Sequence, residues 1–213
     1  MKKLILFLCS LMLLAFCSTA MAKDNPNIPW QQRLAQIYST QGSYGNPATM
    51  PKVSLFYLNN TKTTYNNYID ELMLQNFAAT VNAGTYQYVA SDAYRQKLSA
   101  LGTDDITIAE RADVIEAFAG SDIDYAIIMQ IEPFVRKETM TVFTVGKHMT
   151  ASVPFKIIDL KNNKYLYNGK ITEIAKDSSV IGDVGNKSVA LKALEKCNTK
   201  ITWILDERLP KSK

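Results

Sequence analysis

Asp124-Tyr125-Ala126-Ile127-Ile128-Met129-Gln130-Ile131 is the most apolar stretch of the chain outside its amino terminus. Tyr125 to Met129 runs without a polar interruption, with Gly120-Ser121 before it and Pro133 after it. A short apolar run bounded by breakers predicts a strand covered on both faces, of the kind found in the middle of a parallel or mixed sheet. The chain must therefore supply helices for both sides of that strand. The residues before it read as alternating strand and helix; those after it read as antiparallel ribbon and a closing helix.

The amino terminus reads as an export signal rather than as part of the fold. Met1-Lys2-Lys3 is a short basic segment, Leu4 to Cys17 is apolar, and Ala20-Met21-Ala22 has the small-x-small pattern read by signal peptidase. The apolar core falls short of the about 20 residues that a spanning helix needs. Residues 1–22 are thus expected to be removed after Ala22, with no transmembrane segment remaining and a periplasmic or secreted product. Leu14-Ala15-Phe16-Cys17 is similar to a lipobox, but Phe16 stands where a small residue is required, so lipidation at Cys17 is not expected. After cleavage Cys197 is the one cysteine left of three, which rules out an internal disulfide and leaves stability to the core. This economy in cysteine points to a bacterial envelope.

Loss of Lys2 and Lys3 takes the basic residues from 24 to 22 against 20 acidic ones, a mature balance of +2. The Lys and Arg residues are dispersed apart from the tail Lys211-Ser212-Lys213. That pattern describes a solvated surface and argues against nucleic acid as a partner.

Residues 23–51 form a polar leader in which Trp30, Leu34 and Ile37-Tyr38 recur at helical spacing after Pro29. Such a helix either folds back on the domain or serves as a partner-binding arm. The domain is expected over 52–209, with a basic tail at 210–213. Val53 to Leu58 predicts the first strand. Ile69, Leu72, Met73 and Phe77 give the next helix a core-facing stripe, with Gly84 suited to a left-handed cap. Thr85 to Val89 reads as a strand, and a short helix follows from Ser91 or Asp92. Thr107 and Glu110 have capping-box spacing before a helix whose stripe is Ile108, Ala112, Ile115 and Ala119.

Beyond the central strand, Met140 to Val145 alternates and ends at Gly146-Lys147. Met149, Ala151, Val153, Phe155 and Ile157 then share one face, with His148, Thr150, Ser152 and Lys156 on the other. Pro154 has no amide to donate, which favours an edge strand or a bulge. Asn162-Asn163 marks a hairpin turn before the last strand, Tyr165 to Ile174. Ala190, Leu194, Cys197, Ile201, Ile204 and Leu205 form the buried stripe of a helix over about 186–209. The sum is an α/β (α+β) fold in one three-layer-like domain. A mixed sheet of about five strands has the order β-α-β-α-α-β-β-β-α.

No residue combination specifies catalysis, a metal or a cofactor. His148 is the single histidine, so no triad or metal cluster can draw on a second. Cys197 sits on an apolar stripe, where cysteine behaves as a small hydrophobe. Gly182 to Ser188 departs from the phosphate-loop spacing, because Asn186 separates Gly185 from Lys187. Glu110, Glu116, Asp122 and Asp124 cluster in sequence without a defined separation. The tyrosines Tyr44, Tyr57, Tyr65, Tyr68, Tyr86, Tyr88, Tyr165 and Tyr167 suit partner or glycan contact as well as strands.

The strand Val53 to Leu58 with Asn59-Asn60-Thr61 after it, Val89-Ala90-Ser91 entering a helix, Ile108 to Phe118 ahead of Gly120 to Ile128, Ile157 to Leu160 leading into a hairpin, and the helix Ala190 to Leu205 form a pattern. Over about residues 52–207 it resembles the small α/β domain shared by curli-secretion-channel (CsgG-like) proteins, the amino-terminal domain of TolB and the LpoB-type activators of peptidoglycan synthases. The resemblance implies a non-catalytic envelope protein that works through protein contacts. No propeller follows and no long inserted hairpins suggest a channel, so no functional residue carries over. The expected function is an interaction or assembly module with envelope proteins as partners and homo-oligomerisation open. A periplasmic small-ligand or glycan-binding protein is the alternative, with a hydrolase third. The contact residues expected are Trp30, Leu34 and Tyr38 on the leader, and His148, Thr150 and Ser152 on the ribbon.

Overall fold

The computed structural model describes residues 28–42, 46, 48–140, 145–179 and 185–211. Residues 1–27, which hold the expected signal segment and the start of the leader, and residues 141–144 and 180–184 lie outside them. α1 (Trp30–Thr40) precedes β1 (Lys52–Asn59), α2 (Asn66–Thr80), β2 (Gln87–Val89), α3 (Asp92–Ala100) and α4 (Arg111–Ala117). Then come β3 (Tyr125–Ile131), β4 (Val135–Met140), β5 (Val145–Asp159), β6 (Lys164–Ser179) and α5 (Asn186–Arg208).

β1 lies between β2 and β3 and is parallel to both, in register from Val53↔Tyr125 to Asn59↔Ile131 on the β3 side. β3 then pairs antiparallel with β5, from Tyr125↔Asp159 to Met129↔Phe155. The apolar run thus occupies an internal strand with neighbours on both edges. Alternate β3 residues enter two different cores. Ile127, Met129 and Ile131 join Val53, Leu55 and Tyr57 beneath α1, α2 and α5, while Ala126 and Ile128 join Phe56 beneath α3 and α4. A strand that must satisfy two helix layers has no polar position to spare, which is why its sequence barely alternates.

β6 pairs with β5 along its whole length, from Val145↔Ser179 to Asp159↔Lys164. β3 and β4 therefore share the opposite edge of β5 end to end, with β4 in register from Val135↔Thr150 to Met140↔Val145. The turn after β5 is tied by Asp159, whose carboxylate accepts from the Asn162 backbone N–H (2.9 Å) and side-chain amide (2.7 Å). Asn163 there has φ 49°, a left-handed conformation that asparagine tolerates. α5 closes the fold by burying Ala190, Leu194, Cys197, Ile201, Ile204 and Leu205 across β5 and β6, as its stripe predicts.

The mixed sheet expected with about five strands is present with six. Local expectations need correction. The extra strand is placed differently from Met140 to Val145, which was expected to end at Gly146-Lys147. β4 covers Val135–Met140, residues 141–144 lie outside the described residues, and Gly146-Lys147 belong to β5. α4 starts at Arg111, and its capping box is Glu110 with Asp113, whose Oδ2 accepts from the Glu110 N–H at 3.0 Å. Its buried face is Val114, Ala117 and Phe118, while Ile108 is 71% exposed. The Thr107–Glu110 spacing matched the motif one turn too early. Gly84 does not adopt the left-handed conformation; Gly102 (φ 88°) and Gly120 (φ 76°), after α3 and α4, do.

Pro154 lies in an internal strand, not on an edge, and away from the register shift between Ile157 and Ile158. The sheet accommodates it by position. Glu132 N–H donates to Ser152 O (3.0 Å), so the backbone polar groups of Ser152, and two residues on those of Pro154, face the β3/β4 edge. There β3 has already left β5 at Met129↔Phe155 and β4 has not yet begun. The missing amide falls in the gap between two neighbours.

Candidate functional site

The two faces of the β4–β5–β6 ribbon differ. Met149, Ala151, Val153, Phe155 and Ile157 are buried under α5, together with Ile171 and Ala175 of β6. The other face of the sheet is covered by α3 and α4 only near β1, β3 and the end of β5, where Ile158 joins their core. Lys156 marks the border: its Nζ donates to Ala109 O at 3.0 Å, and burial lowers its pKa while Glu110 opposes the shift. From there to the start of β5 the face is open.

Directly opposed residues in a sheet share a face, so register defines what that surface presents. Val135, Thr150 and Ile174 lie abreast across the three strands, with Val135 66% and Ile174 47% exposed. Beside them Lys137, His148 and Lys176 form a second row. Ser152 opposes Thr172, their hydroxyls 3.2 Å apart, and Pro154 opposes Lys170, which pairs with Glu132 at the margin. None of the described positions of β4, β5 and β6 on this face is Asp or Glu. The surface is therefore aliphatic and hydroxylic at its centre and cationic around it.

The structure keeps His148, Thr150 and Ser152 together and adds Val135, Lys137, Ile174 and Lys176, which sequence reasoning missed. The register of three strands creates this set. The signal within reach was the alternation of Ile171, Glu173 and Ala175 against Thr172, Ile174 and Lys176.

Trp30, Leu34 and Tyr38 are placed elsewhere, against the face of the sheet that α2 and α5 cover. Leu34 is fully buried. Trp30 meets Tyr57 edge-on at 5.6 Å, and Tyr38 stacks on Tyr88 at 4.8 Å. The Tyr38 hydroxyl donates to Val81 O (2.5 Å), and burial raises its pKa far above the usual range. Gln41 completes the tie, donating to Ala78 O and accepting from Ala83 N–H, each at 2.9 Å. The leader helix folds back on the domain.

The remaining chemical candidates have structural surroundings. Burial, with Glu173 adding to it, pushes the Cys197 thiol up to about 12, and the side chain is fully enclosed. Asp124 accepts from the Lys52 backbone N–H (2.7 Å) and pairs with Lys161, while Asp122 pairs with Lys52, so both carboxylates fasten the starts of β1 and β3. Among the described residues no group of three or more His, Cys, Asp or Glu side chains is placed to hold a metal. Within Gly182 to Ser188, residues 182–184 lie outside the described residues, and Asn186 to Ser188 open α5 behind Gly185. A cleft of about 760 Å³ opens at the carboxyl end of β1, lined by Leu58, Asn60, Asp92, Arg95, Asp104 and Ile106 among others, with no aromatic side chain in the described lining. Tyr57 and Tyr86 point into the core instead, being 1% and 2% exposed. Among the described residues no helix is long and apolar enough to cross a membrane.

No protein-family profile and no curated protein matches the chain. Solved structures are similar to it at low identity and low TM-score. A lipoprotein from Neisseria meningitidis is 12% identical over 71% of this chain and 98% of its own, with a TM-score of 0.38. The carboxyl-terminal domain of LpoB from Salmonella enterica is 13% identical over 68% of this chain and 98% of its own, with a TM-score of 0.33. TolB from Acinetobacter baumannii is 16% identical over 78% of this chain but 29% of its own, with a TM-score of 0.35. The LpoB and TolB parts of the resemblance thus recur among structural neighbours, and the curli-channel part stays an expectation. At this similarity the neighbours carry no functional argument.

Proposed function

We propose that the protein is an exported, non-catalytic component of the bacterial envelope that works as a protein-interaction module, docking through the open face of the β4–β5–β6 ribbon. The observation that carries this is the half-covered sheet. A ribbon of 15- and 16-residue strands is packed on one side and leaves Val135 and Ile174 exposed beside Thr150 on the other. Aliphatic side chains at the centre of a polar-rimmed, rigid surface are the usual anatomy of a protein contact. Glycan rings are favoured by aromatic platforms, and the cleft at β1 has none in its described lining.

A photo-crosslinking amino acid placed at Thr150 in cells tests the reading, with the same group at exposed Glu71 of α2 as control. A defined adduct from position 150 that is absent from position 71 and lost in Val135→Ser/Ile174→Ser is expected. Equal labelling from both positions, or no adduct from Thr150, would remove the ribbon face as the docking surface.

A further inference from the structure

We infer that the partner presents an acidic protein surface, its carboxylates set against the row Lys137, His148 and Lys176. This rests on the reading that the open ribbon face is the docking surface, and it adds the chemistry of what docks there. In that row three basic side chains lie directly abreast on neighbouring strands. The two lysines flank His148 on one open surface and bring two positive charges to it with no carboxylate between them. Lys137 and Lys176 have no ion-pair partner among the described residues.

The arrangement differs on the opposite face of the same strands, which α5 covers over β5 and β6. There Glu138 lies beside Arg136 and Lys147, Asp177 pairs with Lys192 at 2.7 Å, and Glu173 pairs with Lys200. Cations of this ribbon are neutralised on one face and left without carboxylates on the other, where Glu132 at the margin meets Lys170 alone. A partner carboxylate placed over the row would supply the acceptors that Lys137 and Lys176 lack, the arrangement that gives charge-complementary interfaces their specificity and speed of association.

The surroundings of the row favour protein over lipid. The described positions of the face include no Trp, Tyr or Phe to enter a headgroup layer. Thr150, Ser152 and Thr172 instead offer hydroxyls that pair with backbone and side-chain groups of a folded surface. Val135 and Ile174 provide the apolar centre beside the cations.

The test uses residues 23–213, the chain without its expected signal segment, with poly-L-glutamate as an acidic polypeptide probe. Poly-L-lysine and vesicles of phosphatidylglycerol with phosphatidylethanolamine are the comparisons. Poly-L-glutamate is expected to shift the amide NMR signals of β4 and of residues 146–152 and 172–176. Lys137→Gln/Lys176→Gln should weaken its binding about tenfold, and ionic strength of about 0.5 M should weaken it for the wild type. Unfolding midpoints of the variants confirm that they remain folded. Failure of poly-L-glutamate to bind, binding unchanged in the double glutamine variant, or vesicles that bind through these signals more tightly than the polypeptide would each overturn the proposal. The Thr150 adduct separates the two readings. If Lys137→Gln/Lys176→Gln retains it and Val135→Ser/Ile174→Ser loses it, the docking face stands and the acidic partner falls. If both variants retain it, both readings fall.

Discussion

Cys197 shows how a potentially reactive group is made inert by placement. Its sulfur lies against Ala151 O (3.8 Å) beneath α5, and burial raises the thiol from 9.0 to about 12. In the unfolded chain the same thiol ionises near its ordinary value. Between about pH 9 and 12 the unfolded state therefore holds fewer protons than the native state, so stability falls as pH rises through that window. Below about pH 9 the thiol is neutral in both states and contributes no slope. We expect wild-type stability to decline between pH 9 and 10 in urea denaturation, with a shallower decline in Cys197→Ala. Equal slopes would show that the thiol ionises freely in the folded protein. Buried Tyr86, raised to about 12, adds to the decline above pH 10. Tyr57 is held similarly inert, its hydroxyl donating to Asp70 Oδ1 (2.6 Å), which also accepts from the Asn59 amide (2.7 Å).

At the scale of elements, α1 is a part of the core rather than a free arm. Leu34 is enclosed with residues of β1, α2 and α5, and Trp30 and Tyr38 are fastened by ring contacts and a hydrogen bond. Leu34→Ala is expected to cost about 2–5 kcal/mol in chemical denaturation, the range for truncating an enclosed leucine. A loss below about 1 kcal/mol would show that the leader helix detaches independently of the sheet, which would return it to consideration as a partner-binding arm. β5 makes the complementary point. Phe155→Ala should cost about 3–5 kcal/mol, whereas Val135→Ser/Ile174→Ser on the open face should change stability by no more than about 1 kcal/mol, since exposed sites contribute little each. Thermal melts of the two variants side by side measure this asymmetry.

Across the whole molecule, the sheet joins two unlike halves. The parallel half, β2-β1-β3, has helices on both faces and two cores. The antiparallel half, β4-β5-β6, has one helix layer and one bare face. Rigidity comes from the first and from α5, and the second carries the surface available for contact. The Thr150 adduct and its dependence on Val135 and Ile174 bear on this division of labour directly.

Much of this was written locally. The unbroken apolar run of β3, the period-2 alternation from Met149 to Ile157 and the stripe of α5 each state which faces are buried, because burial on one or two sides sets the spacing of apolar residues whatever the neighbours are. The sequence alone thus determined most of the elements, the mixed sheet, the buried cysteine and the placement of His148, Thr150 and Ser152 on a solvent face. It could not locate β4, whose residues Val135 to Thr139 are exposed and carry no strong period. Nor could it choose between a free and a docked leader, since Trp30, Leu34 and Tyr38 suit either fate. Only the tertiary structure brought Val135, Thr150 and Ile174 into one row, and Lys137, His148 and Lys176 into the next. Those neighbours are up to 39 positions apart, from Val135 to Ile174 or Lys137 to Lys176, and their meeting depends on strand register, which long-range pairing sets and local pattern does not.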